Sequence, residues 1–264
     1  MSSDRSTDRR DIASPTEVFG QRAAYYVTSA VHTDPEVLAR LVDLARPCHE
    51  DLVLDIGTGT GHMALALAPH VKTLIGMDLT QEMLAEAEAL REQRSLDNVC
   101  WLLADAHRLP FASETFGVVA CRRAAHHFAD ITTALAEMRR LVGPGGRLII
   151  DDRTVPEDAG LDRLLNRLDE LHDHSHVRQY PASEWARMLE QSGFVVDAVD
   201  VYTRHRPLTS LTEDVAAEDV AEIVGLVETM PADYADALHL EMREGQYYFD
   251  HYYMLLAARV PQSR

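Results

Sequence analysis

Along the 264-residue chain, short apolar runs alternate with longer stretches of helical spacing. Runs rich in aliphatic and β-branched residues fall at about 52–56 (LVLDI), 73–77, 98–103, 116–121 and 146–151. Between them, at about 61–68, 81–93, 130–142 and 161–171, apolar residues recur every three or four positions, as amphipathic helices require. The clearest helix follows Asp130. That residue suits an N-cap, Ile131, Leu135, Met138 and Leu141 make one stripe, and Gly143-Pro144-Gly145-Gly146 ends it. Strands alternating with helices of this length predict βαβ units, hence a parallel sheet covered on both faces.

The flanks read differently. Residues 1–14 are expected to be a disordered leader and 15–48 a helical cap, with Asp34-Pro35 starting a helix whose face carries Val37, Leu38, Leu41 and Val42, and Arg46-Pro47 ending it. A sheet core is expected over 50–201. Its later part has a helix at 182–192 carrying Trp185, Met188 and Leu189, a stop at Gly193 and a strand at 194–201. Residues 203–245 are read as a helical insertion. Within it, 209–244 forms two acidic helices around Met230-Pro231, the first turning Val215, Val220, Ile223, Val224 and Val227 inward. A last strand is expected over 246–260. With no internal repeat or low-complexity linker, residues 15–264 are counted as one elaborated α/β domain.

Composition narrows the function classes. At 46% hydrophobic and 26% charged, the chain can bury a sizeable core, roughly 70–75% of its unfolded surface. Its net charge of −18 argues against nucleic-acid and anionic-membrane partners, which select basic faces, and favours a neutral or cationic small ligand. The polar N-terminus lacks the apolar run of a signal peptide and no stretch nears the ~20 apolar residues of a membrane span, so a cytoplasmic protein is expected. Cys48, Cys100 and Cys121 are too dispersed for a disulfide framework or zinc knuckle. Lys72 is the only lysine, a mark of GC-rich codon usage rather than chemistry.

The candidate chemistry starts at Asp55-Ile56-Gly57-Thr58-Gly59-Thr60-Gly61, which follows an apolar strand and opens a helix. A nicotinamide-binding loop would carry glycine where His62 stands, so the pattern is G-x-G-x-G preceded by an acid. Asp78 ends the second strand, 23 residues after Asp55, where a carboxylate can accept both hydroxyls of a ribose. Asp105 ends the third, placed for an adenine amino group. Three acids at successive strand ends lie along the edge where open α/β sheets bind ligands, and together they point to a nucleoside.

These segments, with LLADAHRLPF followed by FGVV and with RRLVGPGGRL, resemble class I S-adenosylmethionine-dependent methyltransferases. The likeness is to the ubiquinone/menaquinone C-methyltransferase type, in particular short bacterial relatives with an A-x-H-H-F segment. The core of the resemblance spans about 50–152. It implies a Rossmann-like, doubly wound seven-stranded sheet with its last strand antiparallel, and S-adenosylmethionine as cofactor with S-adenosylhomocysteine as product. By motif match Gly57, Thr58, Gly59 and Gly61 pass under the methionine part, with Asp55 near its ammonium. Asp78 holds the ribose, with Leu79 and Met83 beside the adenine; Asp105 and Ala106 read the adenine edge. Arg122 lines the sulfonium region by its backbone, and Tyr26 closes over the methionine end.

Methyl transfer from a sulfonium is an in-line displacement that needs alignment and exclusion of water. It needs a base only when the acceptor must lose a proton. His127 and His126, following the fourth strand, are the candidate bases. His172, His174 and His176 form H-x-H-x-H, a spacing able to bind metal. The family pattern D-P-S-H-V-R matches only Asp173, Ser175, His176, Val177 and Arg178, so no metal is assigned and His176 and Arg178 are placed at the substrate cavity. Asp151 and Asp152, ending the fifth strand, also face the expected pocket, and Asp152 is taken as a substrate contact. The reading is methyl transfer to carbon, oxygen or nitrogen of a small-molecule metabolite by a soluble enzyme, with a homodimer as the candidate assembly. Non-methyl chemistry at the same cofactor site and a non-catalytic adenosylmethionine-binding partner stay open as alternatives.

Overall fold

The computed structural model describes residues 15–262; the expected leader at 1–14 lies outside them. The cap consists of α1 (Pro15–Thr28), α2 (Ala30–Thr33) and α3 (Pro35–Ala45). Asp34 caps α3 by accepting the backbone N–H groups of Glu36 and Val37, and Arg46 ends it in a left-handed conformation. Then come β1 (Leu52–Ile56), α4 (His62–Leu67), β2 (Thr73–Asp78), α5 (Gln81–Gln93), β3 (Val99–Leu103) and β4 (Phe116–Arg122). The second half holds α6 (Ile131–Leu141), β5 (Val142–Arg153), α7 (Ala159–His172), α8 (Ala182–Gln191) and β6 (Val195–Pro207). It ends with α9 (Ala217–Glu228), α10 (Ala232–Ala237), β7 (Glu241–Arg243) and β8 (Gln246–Arg259).

The sheet runs β3-β2-β1-β4-β5-β8-β6, with β7 paired to β8 off this path. The first five strands pair in parallel, whereas β8 is antiparallel to both β5 and β6. The seven-strand path with an antiparallel last strand is as expected; the three-residue β7 adds an eighth. Strand parity explains the two helical layers. Leu54, Ile56, Leu148, Ile150, Met254 and Leu256 pack against α6 and α8, while Val53, Ile149, Leu255 and Ala257 pack against α3 and α4. Each parallel strand is therefore apolar on both faces.

A third cluster joins α7, α9 and Phe249 of β8 beyond the sheet edge. Here the expected boundaries shift. Residues 203–207, assigned to the insertion, continue β6; Ile223 and Val227 of α9 are buried and Val215 and Val224 pack partly buried against the same cluster, as expected, whereas Asp219 rather than Val220 is buried. Asp130 caps α6 through the Thr133 N–H, and Ile131, Leu135, Met138 and Leu141 are all buried, as the stripe predicts.

Candidate active site

The turn after β1 is shaped by its neighbours. Gly57 has φ +65°, and a Cβ there would lie 2.4 Å from the Ala124 Cβ, so the β1 and β4 turns touch. Thr58 N–H donates to the Met77 carbonyl at 2.8 Å, and Gly59 N–H donates to Asp78 Oδ2 at 2.9 Å. Asp78 Oδ1 accepts the Thr80 N–H at 2.9 Å. Burial raises its carboxyl, against these donors. Gly59 also has positive φ, but a Cβ there would meet nothing within 4 Å. The turn's tip opens onto a cavity.

That cavity has a volume of about 480 Å³. The turn residues 57–60 form one wall; Asp78, Leu79 and Met83 form the next, followed by Asp105 and Ala106. Asp105 accepts the His107 N–H at 2.9 Å and meets His107 Nδ1 at 2.6 Å; burial opposes these contacts, but they prevail and lower its carboxyl. Phe19, Tyr26 and His32 close the opposite side from the cap. Arg122 and His127 complete it at the end of β4. Carboxylate acceptors at two strand ends, a turn whose glycines 57 and 59 carry no side chain and apolar Leu79 and Met83 between them match the polar and flat parts of an adenosyl group. The residues present fit S-adenosylmethionine.

Arg122 ties the cap to the sheet. Its Nε donates to buried Asp151 Oδ2 at 2.9 Å, while Nη1 and Nη2 donate to the carbonyls of His32 and Val31 at 2.8 and 3.0 Å. Arg123, with φ 54°, then turns the chain into the short 3₁₀ turn Ala125–His127.

A second, smaller chamber of about 150 Å³ shares Phe19, Tyr26, His32, Arg123 and His127 with the first. His126 and His176 wall only this one. The two adjacent histidines differ in their support. His126 Nδ1 donates to Asp152 Oδ1 at 2.5 Å, because the carboxylate can only accept. Asp152 is fully buried; His126 lowers its carboxyl against the cost of burial. His127 Nδ1 lies 3.1 Å from both the Ser175 carbonyl and Ser175 Oγ, and Ser175 Oγ in turn donates to Asp173 Oδ1 at 2.6 Å. The carbonyl requires a proton on Nδ1, so the Nε2 lone pair of His127 is free. Burial and the neighbouring His126 lower its pKa to about 4.

Several expected contacts are redirected. Asp55 is fully buried behind the turn, where Thr58 Oγ1 donates to it at 2.6 Å, and burial pushes its carboxyl up to about 7. It shares the parity of Val53 and points to the helix layer, not the cavity. Gly61 caps α4 and accommodates Trp101, whose ring a Cβ would approach to 2.8 Å, so it serves packing. Neither Asp151 nor Asp152 lines a chamber; they hold Arg122 and His126. Arg178 lies outside both chambers, paired with Asp162 at 2.9 Å over the Tyr180 ring. His176 does wall the smaller chamber, held by Asn166 Oδ1 at 3.0 Å, and its pKa falls to about 2 through burial and the neighbouring histidines.

The three histidines of H-x-H-x-H take separate partners. His172 meets the Leu211 carbonyl, His174 meets Asp219 and His176 meets Asn166. The residues missed at the site are Phe19, His32, Arg123, Asp173 and Ser175. Only the last two carried a signal, as matched positions of the family pattern. The structure explains that pattern: the N–H groups of Val177 and Arg178 donate to the His126 carbonyl, pinning the second motif onto the first.

The Methyltransferase domain family matches residues 54–150. The uncharacterized methyltransferase YcgJ of Bacillus subtilis (strain 168) is 39% identical over 171 residues, which cover 65% of this chain and 68% of that protein. Its crystal structure superposes with a TM-score of 0.82 at 29% identity over 86% of this chain and 99% of that one. A demethylmenaquinone methyltransferase of Thermus thermophilus is 41% identical over 114 residues, 42% of this chain and 51% of that protein. The chain therefore belongs to the class I methyltransferases of the ubiquinone/menaquinone C-methyltransferase-like type, enzymes whose cofactor is S-adenosylmethionine.

Proposed function

We propose that this enzyme methylates a small molecule at a carbon or oxygen that must shed a proton, with His127 as the general base. The observation that carries this reading is the place of His127 between the two chambers, with Nδ1 fixed by Ser175 and Nε2 unpartnered among the described residues. When bound, S-adenosylmethionine supplies a methyl group already activated on a sulfonium. The chain's own work is placement. Asp78 takes the ribose hydroxyls, Leu79 and Met83 flank the adenine, Asp105 and Ala106 meet its edge, and the turn 57–60 leaves room for the methionine part. The smaller chamber holds the acceptor, and Phe19 and Tyr26 exclude water where the chambers meet.

A neutral imidazole is the form that can take a proton, and burial keeps His127 in it. Asp173, through Ser175, stabilises the cation formed when the proton arrives. An amine acceptor would depend on this apparatus less, since its neutral form attacks through a lone pair and can release its proton after the transfer. Incubation with methyl-labelled S-adenosylmethionine and the small-molecule fraction of a source-cell lysate tests the reading. Label is expected in a small molecule with the wild type and lost with His127→Gln. Label in an amine product, or undiminished labelling by His127→Gln, would defeat it.

A further inference from the structure

The smaller chamber is unusual for so acidic a chain. Arg22, Arg123, Arg153 and Arg206 all reach its wall. Three of them are engaged. Arg123 pairs with Asp151, donates to the Tyr202 hydroxyl at 2.8 Å and lies 3.9 Å over the Tyr253 ring. Arg153 pairs with Asp169 at 2.8 Å, and Arg22 lies 3.7 Å from Asp214.

Arg206 differs. Among the described residues its guanidinium has no carboxylate within 4.0 Å, and its side-chain hydrogen bond is a 3.4 Å contact to the Tyr253 hydroxyl. Asp169 is close enough to feel its charge, but with no carboxylate in hydrogen-bonding reach the half-buried guanidinium is a donor fork held in reserve. Two further groups on the same wall have unmet hydrogen bonds: Ser210 Oγ, on the turn four residues after Arg206, and Arg153 Nε, both buried without a partner. Asp169 Oδ1 and Oδ2 on the same wall also lack hydrogen-bond partners, but that carboxylate is ion-paired with Arg153, so Ser210 Oγ and the weakly engaged fork of Arg206 are the donors left facing the chamber.

We infer that the smaller chamber binds a carboxylate of the methyl acceptor, with Arg206 as its anchor and Ser210 as a second donor. The inference rests on the methyl-transfer reading for the acceptor's role, but the site itself stands on these residues. A single carboxylate fits better than a phosphate dianion, because Asp169, Asp173, Glu213 and Asp214 share the chamber and would repel a second charge. It also revises the expectation of a neutral or cationic ligand. The lining balances four arginines against Asp169, Asp173, Glu213 and Asp214, so it is the position of Arg206, with no carboxylate within 4.0 Å among the described residues, that favours an anion there.

The test uses benzoate and its neutral isostere benzamide, titrated calorimetrically into the full chain with and without saturating adenosylhomocysteine. Benzoate is expected to bind at least tenfold more tightly than benzamide. Arg206→Leu should erase that preference, and Arg206→Lys, which keeps the charge but loses the fork, should retain part of it. Equal binding of the two probes overturns the inference, as does a benzoate preference undiminished in a folded Arg206→Leu. Should that variant fail to fold, Arg206→Lys decides: affinity for benzoate identical to wild type overturns the anchor. Adenosylhomocysteine reads the larger cavity separately. Its binding without a benzoate preference defeats the carboxylate site alone, whereas its absence defeats the methyl-transfer reading.

Discussion

Side by side in sequence, His126 and His127 meet different chambers and different partners, and their substitutions should behave differently. Replacing His127 by Gln should lower kcat by about 10²–10⁴. Adenosylhomocysteine affinity, measured by calorimetry, should stay within about twofold. Since burial holds His127 at about 4 rather than 6.5, the acid limb of its activity should fall near pH 4, and the pH–rate profile should be flat from pH 6 to 8. Asp78→Ala should weaken adenosylhomocysteine at least tenfold by calorimetry, because it removes both the proposed ribose acceptor and the Gly59 tether. Asp78 and Asp105 were legible because a strand end fixes a residue's place along the sheet edge. Asp55 stands at a strand end too, yet its side is set by parity. Counting two from buried Val53 would have turned it toward α4 and away from the cavity.

At the scale of elements, the cap and the sheet meet through Arg122. Its Met variant loses a buried ion pair with Asp151 and the bonds to the Val31 and His32 carbonyls, a class of loss worth about 3–5 kcal/mol when one partner stays buried. Arg122→Met is expected to speed limited proteolysis within residues 15–33 and to weaken adenosylhomocysteine binding; an unchanged cleavage pattern would contradict this tie. The parallel strands were easy to read, since both faces are apolar. The end of β6 was not: Tyr202-Thr203-Arg204-His205-Arg206 lies on an edge strand and shows no hydrophobic alternation, and β7 has only three residues. Arg206 was invisible for the same reason, because it was assigned to an insertion. The helices of that insertion and most of their inward face were foreseen, through Ile223, Val224 and Val227; the departure is that Asp219 rather than Val220 is buried.

For the whole molecule, burial sets the response to pH. His32, His62, His127, His172, His176 and His251 are all lowered chiefly by desolvation, His127 and His172 to about 4. Between pH 6.5 and 4 the unfolded chain therefore binds more protons at these sites, and stability rises with pH across that window. Asp55, Asp78 and Asp169 are raised by burial and act with the opposite sign, but they are fewer. The urea midpoint is expected to fall as pH drops from 6.5 to 4, as read from equilibrium denaturation at fixed ionic strength. The position of β8 has one more effect, on the timing of biosynthesis. Among the described residues β6 pairs only with β8, and 38 residues separate Pro207 from Gln246. At about 5–20 residues per second, a ribosome exposes the finished β6, whose Val195, Val199 and Val201 stay exposed even in the folded protein, for roughly 2–8 s before its partner begins to appear. Through that interval β6 is an open edge available to any other nascent strand, which makes slow translation of residues 208–245 a hazard for this chain.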